Sequence, residues 1–269
     1  MKLRKMTSAG MMDCKNALIE ADGDFEKAVE IIREKGKLVA AKRADRETTE
    51  GAVLVRVSGG KAVLVCLGCE TDFVSATPDF KALADEIADA AIANFPADLE
   101  SLKACKCSNG HTVEEEISAQ TGKTGEKHLL AYYSTLEAPF IAQYVHNNSK
   151  VASIVAFNKE VPEEIGKNVA QQVTAMNPVS VSKDDCPKET VEKEMAMYKQ
   201  QMREDPKMAG KPEAMLENIA KGKLQKFFKE QTLEEQEFIW DGKLSVAEYI
   251  HAADKDAKVT AFRRFSLND

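Results

Sequence analysis

The chain has 269 residues, a formal net charge of −7, 43 % hydrophobic and 30 % charged residues. That length allows two or three small domains with real cores, and the composition excludes wholesale disorder. An acidic chain without a concentrated basic block is a poor match for a nucleic-acid-binding face, so no direct nucleic-acid partner is expected.

Residues 1–36 read as a compact helical domain. Helix signals run from Thr7 or Ser8 to Asp22-Gly23 and from Asp24 to Gly36, each opened by a capping residue and closed by glycine. Cys14, Ala17, Leu18 and Ala21 share one face of the first helix, and Phe25, Ala28, Val29 and Ile32 one face of the second, so the two should pack together. At about 100° per residue, Met12 and Ile19 fall opposite the first stripe and Met11 at its edge, so exposed positions are expected. Such methionines serve as spare core filler or as a protein-binding spot, and spacing leaves both open. The basic stretch from Arg33 through Lys35, Lys37, Lys42 and Arg43 to Arg46 reads as a solvated tether running into a linker, 37–50.

A first α+β block spans 51–128. Ala52–Val57 and Ala62–Leu67 are β-rich runs joined by Ser58-Gly59-Gly60, a hairpin signal. Thr77-Pro78-Asp79 then opens a helix to about Phe95, with a capping threonine, proline at the first helical position and an acid in the first turn. Phe80, Leu83, Ala84, Ile87 and Ala91 form its stripe, which is complete without Phe73. Pro78 disfavours helical geometry at Thr77, so residues 71–76 are left as roughly one turn of backbone. Two readings of Cys69-Glu70-Thr71-Asp72-Phe73-Val74 follow. Phe73 tucks back onto the sheet while Asp72 favours a local helix N-terminus, or a carboxylate and a ring stand together on a projecting knuckle. Spacing alone favours the first. Within 96–127, Ser108-Asn109-Gly110 marks a turn and Val113–Ala119 a helix; Gly122-Lys123-Thr124 is no phosphate loop, because Ile117 stands where the motif needs glycine.

A second β-rich block contains Leu129–Leu136, Phe140–His146 and Val151–Phe157, with Asn147-Asn148 in a turn, and Pro162 opens a helix to about Met176. Hairpin followed by helix thus occurs twice, suggesting two similar α+β units. Residues 129–186 and 232–269 are assigned to the second. Between them, 187–231 is polar and helix-prone, broken by Asp205-Pro206 and Gly210-Lys211-Pro212. Val191, Met195 and Met202 on one arm and Met215, Ile219 and Leu224 on the other predict two antiparallel helices with a thin apolar seam. Phe238–Trp240 reads as a strand, Ser245–Ala253 as a capped helix and Val259–Phe265 as a closing strand.

Catalytic chemistry is not legible. His111, His128, His146 and His251 have no nucleophile motif beside them, and neither a metalloprotease nor a dinucleotide signature is present. Cys14, Cys66, Cys69, Cys105, Cys107 and Cys186 read as reduced thiols. A zinc site from Cys66-x-x-Cys69 and Cys105-x-Cys107 with His111 is the weaker reading, since Cys-x-Cys is an awkward bite and Cys66 alternates as a small strand residue. No window approaches the roughly 20 apolar residues of a membrane span. The start Met1-Lys2-Leu3-Arg4 is too polar for a secretory signal, so a cytoplasmic location is expected.

Two stretches carry a resemblance. Thr71-Asp72-Phe73-Val74, with Thr7-Ser8-Ala9-Gly10-Met11-Met12-Asp13-Cys14-Lys15-Asn16-Ala17-Leu18, resembles the paired signatures of translation elongation factor Ts, the guanine-nucleotide exchange factor of elongation factor Tu. The similarity continues through Gly210-Lys211-Pro212 and Lys226-Phe227 to Phe262-Arg263-Arg264-Phe265. It implies an α+β protein: a three-helix ubiquitin-associated-like module, two core subdomains each with antiparallel sheet and helices, and an inserted coiled-coil hairpin. It further implies that Asp72 and Phe73 enter the GTPase domain beside its magnesium site, supported by Thr71 and Val74. Arg4, Met11, Met12 and Lys15 match the family's N-terminal contact surface. His146 matches the histidine of its Tyr-x-His turn, although Asn147-Asn148-Ser149-Lys150 replaces the usual glycine-rich continuation, and a surface strand-end histidine is the plain alternative. Elongation factor Tu would be met through its GTPase domain and a further domain, with no cofactor. Family members usually carry more helix before the position of Leu3, so a short first helix is expected, and the extra C-terminal helical module of some members is expected to be missing. A protein-binding adaptor using the helical N-terminal module is the competing function; such an adaptor has no need of the Asp72-Phe73 knuckle.

Overall fold

The computed structural model of the chain describes residues 2–7, 9–146, 149–208, 210–267 and 269. Ser8 as a helix start and the Asn147-Asn148 turn lie outside the described residues. The chain divides into two compact units, one of Met1–Glu137, Gln143–Ile154 and Arg263–Asp269, the other of Ala138–Ala142 and Val155–Phe262. Helices and small antiparallel sheets alternate, an α+β fold.

The first unit opens with α1 (Lys2–Thr7), α2 (Met11–Glu20) and α3 (Phe25–Lys42). Leu3, Ala9, Cys14, Ala17, Ala21, Ala28 and Ile32 form their shared core, flanked by Leu18, Val29 and Ile31. Phe25 is 39 % exposed rather than buried with this face, and the Lys2 ammonium lies 5.5 Å from its ring centre. Strands β1 (Glu50–Ser58) and β2 (Lys61–Cys69) form the expected hairpin, with Gly59 and Gly60 at φ of 56° and 79° supplying the left-handed residues of a two-residue turn. Next come α4 (Asp72–Ser75), α5 (Pro78–Asn94), α6 (Leu99–Ala104), α7 (Val113–Thr124) and β3 (His128–Glu137). The first sheet has the order β1-β2-β3.

Three expectations change here. Residues 129–136 do not begin a second β block; β3 pairs antiparallel with β2, with Cys69 opposite His128. A central, almost wholly buried strand such as β2 needs partners on both edges, and β3 supplies the second. Gly36 does not close α3. A Cβ there would lie 2.8 Å from the Ser118 carbonyl oxygen, and one at Gly122 would lie 3.0 Å from the Cα of Gly36. The two glycines are the point where α3 and α7 cross, so the helix runs on to Lys42 into what the sequence reads as linker. Gly122-Lys123-Thr124 accordingly lies in a helix that ends at Gly125, whose φ is 74°. The basic stretch is likewise not a free tether: Arg33 pairs with Glu115 at 3.3 Å, Lys35 with Asp13, and Arg43 with Glu70.

Strands β4 (Phe140–Val145), β5 (Val151–Phe157) and, at the end of the chain, β8 (Val259–Ser266) form a sheet of order β4-β5-β8. In the second unit, α8 (Glu163–Met176) is followed by α9 (Lys188–Glu204) and α10 (Glu213–Gln231). The last two pack antiparallel: Val191 and Met195 join Leu224, Phe227 and Phe228, while Met202 joins Leu216, Ile219 and Ala220. Leu216, not the 47 % exposed Met215, belongs to that seam. Strand β6 (Glu237–Phe238) stops short of Trp240, and β7 (Asp241–Ser245) pairs with it before α11 (Val246–Ala253). The Gln172 amide, fully buried, donates to the Gln236 side-chain oxygen at 3.1 Å and to the Glu237 carbonyl at 3.2 Å, and its oxygen accepts from the Ile239 N–H at 2.9 Å. Such a fully paired polar group fixes where α8 meets the chain after α10. No helix among the described residues is long and apolar enough to cross a membrane.

The α3–α7 crossing gives a direct stability expectation. Gly36→Ala should destabilise the protein by about 1–3 kcal/mol, because the new methyl meets a backbone oxygen that cannot rotate away. Urea unfolding at neutral pH measures it; a midpoint equal to the parent's would show that the crossing is looser than described.

Candidate functional site

The site grows from the end of β2. Beyond Cys69 the chain leaves the sheet, and Thr71 (φ −127°, ψ 154°) caps α4 by accepting from the Val74 N–H. The turn closes at once: the Thr77 hydroxyl donates to the Val74 carbonyl at 2.7 Å and accepts from the Phe80 N–H, so it ends one helix and caps the next. A single turn between two threonine caps cannot bring Phe73 back to the sheet. Phe73 is 83 % exposed, Asp72 is exposed beside it, and half-buried Val74 packs against the core that contains Phe80, Leu83 and Ile87. Of the two readings open in the sequence, the projecting knuckle is the one found. Leaving the ring in water forgoes about 1.5–3 kcal/mol of burial.

The base of the knuckle is held by residues that spacing did not single out. The Glu126 carboxylate accepts from the Thr71 N–H at 3.2 Å and from its hydroxyl at 2.9 Å. Across the β2–β3 register, the Glu70 carboxylate accepts from the Lys127 N–H at 2.6 Å and from the Arg43 guanidinium at 2.8 and 2.9 Å. The Lys127 ammonium then donates to the carbonyls of Ala44 and Arg46 at 2.6 and 2.9 Å, strapping the segment after α3 to the same base. Desolvation opposes ionisation of Glu70, but the Lys127 N–H and Arg43 outweigh it and hold its carboxyl below the ordinary value. Only the pairing of Cys69 with His128 brings these acids together, so the available signal was two Glu residues at adjoining strand ends, legible once the register is known.

Burial pushes the thiols of Cys66 and Cys69 up to about 12, the second also through the nearby Glu126 carboxylate, so both stay protonated at neutral pH. Among the described residues no group of three or more His, Cys, Asp or Glu side chains is placed to hold a metal ion.

On the helical module, Arg4, Met11 and Lys15 line one groove of about 410 Å³ with Leu3, Cys14, Leu18 and Ile19. Met11 and Ile19 are 67 % and 66 % exposed. Met12 is 64 % exposed but is not part of that lining, whereas Leu18, which the sequence placed only in a core, is, together with Leu3. His146 is exposed at the end of β4, its Nδ1 3.4 Å from the Tyr144 hydroxyl and its N–H bonded to the Val151 carbonyl. It belongs neither to the knuckle nor to the groove.

A family model described as Elongation factor TS matches residues 70–269, a span that begins at the base of the knuckle. The chain belongs to the elongation factor Ts family. It is 46 % identical over 270 residues to Elongation factor Ts of Christiangramia forsetii, covering 99 % of this chain and 96 % of the relative. Elongation factor Ts of Cytophaga hutchinsonii is 45 % identical over 272 residues and that of Porphyromonas gingivalis 43 % over 267, each with 99 % of this chain and 96 % of the relative covered. The family's proteins are translation elongation factors, and membership extends over both compact units.

The strap around Glu70 predicts a pH dependence. A folded-state pKa held below the unfolded value stabilises at pH above the unfolded value, about 4.3, and this stabilisation is lost as pH falls through the folded value. Glu70→Gln should therefore lose less thermal stability than the parent between about pH 5 and pH 3. Melting temperatures that fall in parallel would contradict an ionised Glu70 at the strap.

Proposed function

We propose that this chain is the guanine-nucleotide exchange factor of elongation factor Tu, binding the GDP complex and promoting GDP release through Asp72 and Phe73. The observation that carries the reading is Phe73, 83 % exposed on a turn capped at both ends and clasped at its base. A ring left in water on a fixed support is suited to entering another protein.

An exchange factor requires no reactive group of its own. It must bind the nucleotide-free GTPase more tightly than the nucleotide-bound one; by linkage each ligand then weakens the other, and a tenfold weakening corresponds to about 1.4 kcal/mol. Mg²⁺ bridges the phosphate oxygens of a bound nucleotide to its GTPase, so disturbing its coordination loosens the phosphates. Phe73 is the apolar wedge and Asp72 the charged competitor, with Thr71 and Val74 as support. Arg4, Met11, Met12 and Lys15 form a second contact on the GTPase domain, from the ubiquitin-associated-like module of α1, α2 and α3. His146 adds a contact, and a further domain of elongation factor Tu completes the interface. The helical module, with α3 running on to Lys42, leads into a first core subdomain that takes in β1, β2 and β3, and a second core subdomain carries 187–231 as an inserted coiled-coil hairpin. The setting is cytoplasmic.

The test is Asp72→Ala combined with Phe73→Ala, assayed by release of fluorescent GDP from elongation factor Tu. Partner binding should persist while GDP release slows by at least about tenfold. An unchanged release rate would remove the wedge assignment and favour a binding-only adaptor.

A further inference from the structure

We infer that Glu126 is a positioning residue for exchange: it holds the backbone and side chain of Thr71 so that the α4 turn presents Phe73 outward. This rests on the exchange reading and adds a residue to it.

The geometry is that of a preorganised clasp. Glu126 follows Gly125, the left-handed residue that ends α7, and its own backbone is fixed on both sides. Its N–H donates to the Thr124 hydroxyl at 3.1 Å, and its carbonyl lies 3.0 Å from His128 Nδ1. Because a carbonyl only accepts, that nitrogen carries a proton, and burial lowers the pKa of the imidazole, which favours its neutral form. With its backbone fixed, the Glu126 carboxylate takes both donors of Thr71: the N–H at 3.2 Å and the hydroxyl at 2.9 and 3.1 Å. Donating its proton to Glu126 fixes the Thr71 hydroxyl rotor and leaves a lone pair for the Val74 N–H at 3.4 Å, which starts α4. The charge acts through two further bonds on a ring it does not touch: Glu126 orients Thr71, Thr71 caps the turn, and the turn sets the direction of Phe73.

A group that merely stabilised the fold would change stability and leave the saturating exchange rate of the folded protein intact. A positioning group does the reverse. Charge-assisted bonds to a carboxylate are stronger than neutral ones, so the amide in Glu126→Gln, with one acceptor oxygen, should retain part of the function.

The experiment measures release of fluorescent GDP from elongation factor Tu at increasing concentrations of the parent, Glu126→Ala, Glu126→Gln, Phe73→Ala and the Glu126→Ala/Phe73→Ala double variant, each with its melting curve. Glu126→Ala should lower the saturating rate about tenfold, with the half-saturating concentration changed less than about twofold, and Glu126→Gln should lie between it and the parent. In the double variant the second substitution should add little, since both act through one ring. A parental rate for Glu126→Ala with a slowed Phe73→Ala would overturn the positioning role alone. A full further tenfold loss in the double variant would also overturn it, placing the action of Glu126 elsewhere. A parental rate for Phe73→Ala would overturn the wedge reading, and this inference with it. If Glu126→Ala melts below the assay temperature, Glu126→Gln carries the same comparison.

Discussion

The site depends on a reciprocal exchange between two acids at adjoining strand ends. Glu70, at the end of β2, holds the backbone of Lys127, and Glu126, before the start of β3, holds the backbone of Thr71. Each carboxylate satisfies an N–H that the sheet no longer reaches, at the point where the chain turns out of the ladder. Unpaired backbone donors there would favour a frayed loop. With them satisfied, a one-turn helix can stand at the sheet's edge without a core of its own.

The same base receives the segment after α3, through Arg43 on Glu70 and Lys127 on the carbonyls of Ala44 and Arg46. Upstream, α3 is pressed against α7 where Gly36 and Gly122 let the backbones approach. The helical module and the knuckle are therefore joined by packing along α3 at Gly36 and by charge-assisted hydrogen bonds just beyond its C-terminal end. A partner that grips the groove around Met11 and Lys15 meets a ring held by the same framework. In the proposed exchange this rigidity matters, because a wedge that yielded would transmit little of its binding energy to the nucleotide.

Much of this was legible from residue spacing. The caps at Thr77 and Ser245, the Gly59-Gly60 hairpin, the stripe from Phe80 to Ala91 and the exposure of Met12 and Ile19 follow local rules and are found as expected. What failed depended on contacts distant in sequence. Gly36 has the local look of a helix stop, yet its meaning comes from Ser118. The run at 129–136 has no local mark saying which strand it joins, and β2 claims it. Phe73 reads locally as a residue to be buried; its exposure follows from the short distance between two caps and from Glu126, far along the chain. The resemblance in Thr71–Val74 pointed to the knuckle, but not to what supports it.

The central claim is that this chain acts on a GTPase as a releasing factor and not only as a binder. Stopped-flow release of fluorescent GDP from elongation factor Tu, with the unmodified chain at a small fraction of the GTPase concentration, tests it most directly. The account predicts that each molecule of the chain releases many molecules of GDP, so that the whole pool exchanges faster. Tight binding with no acceleration, or acceleration only in proportion to the amount added, would contradict it.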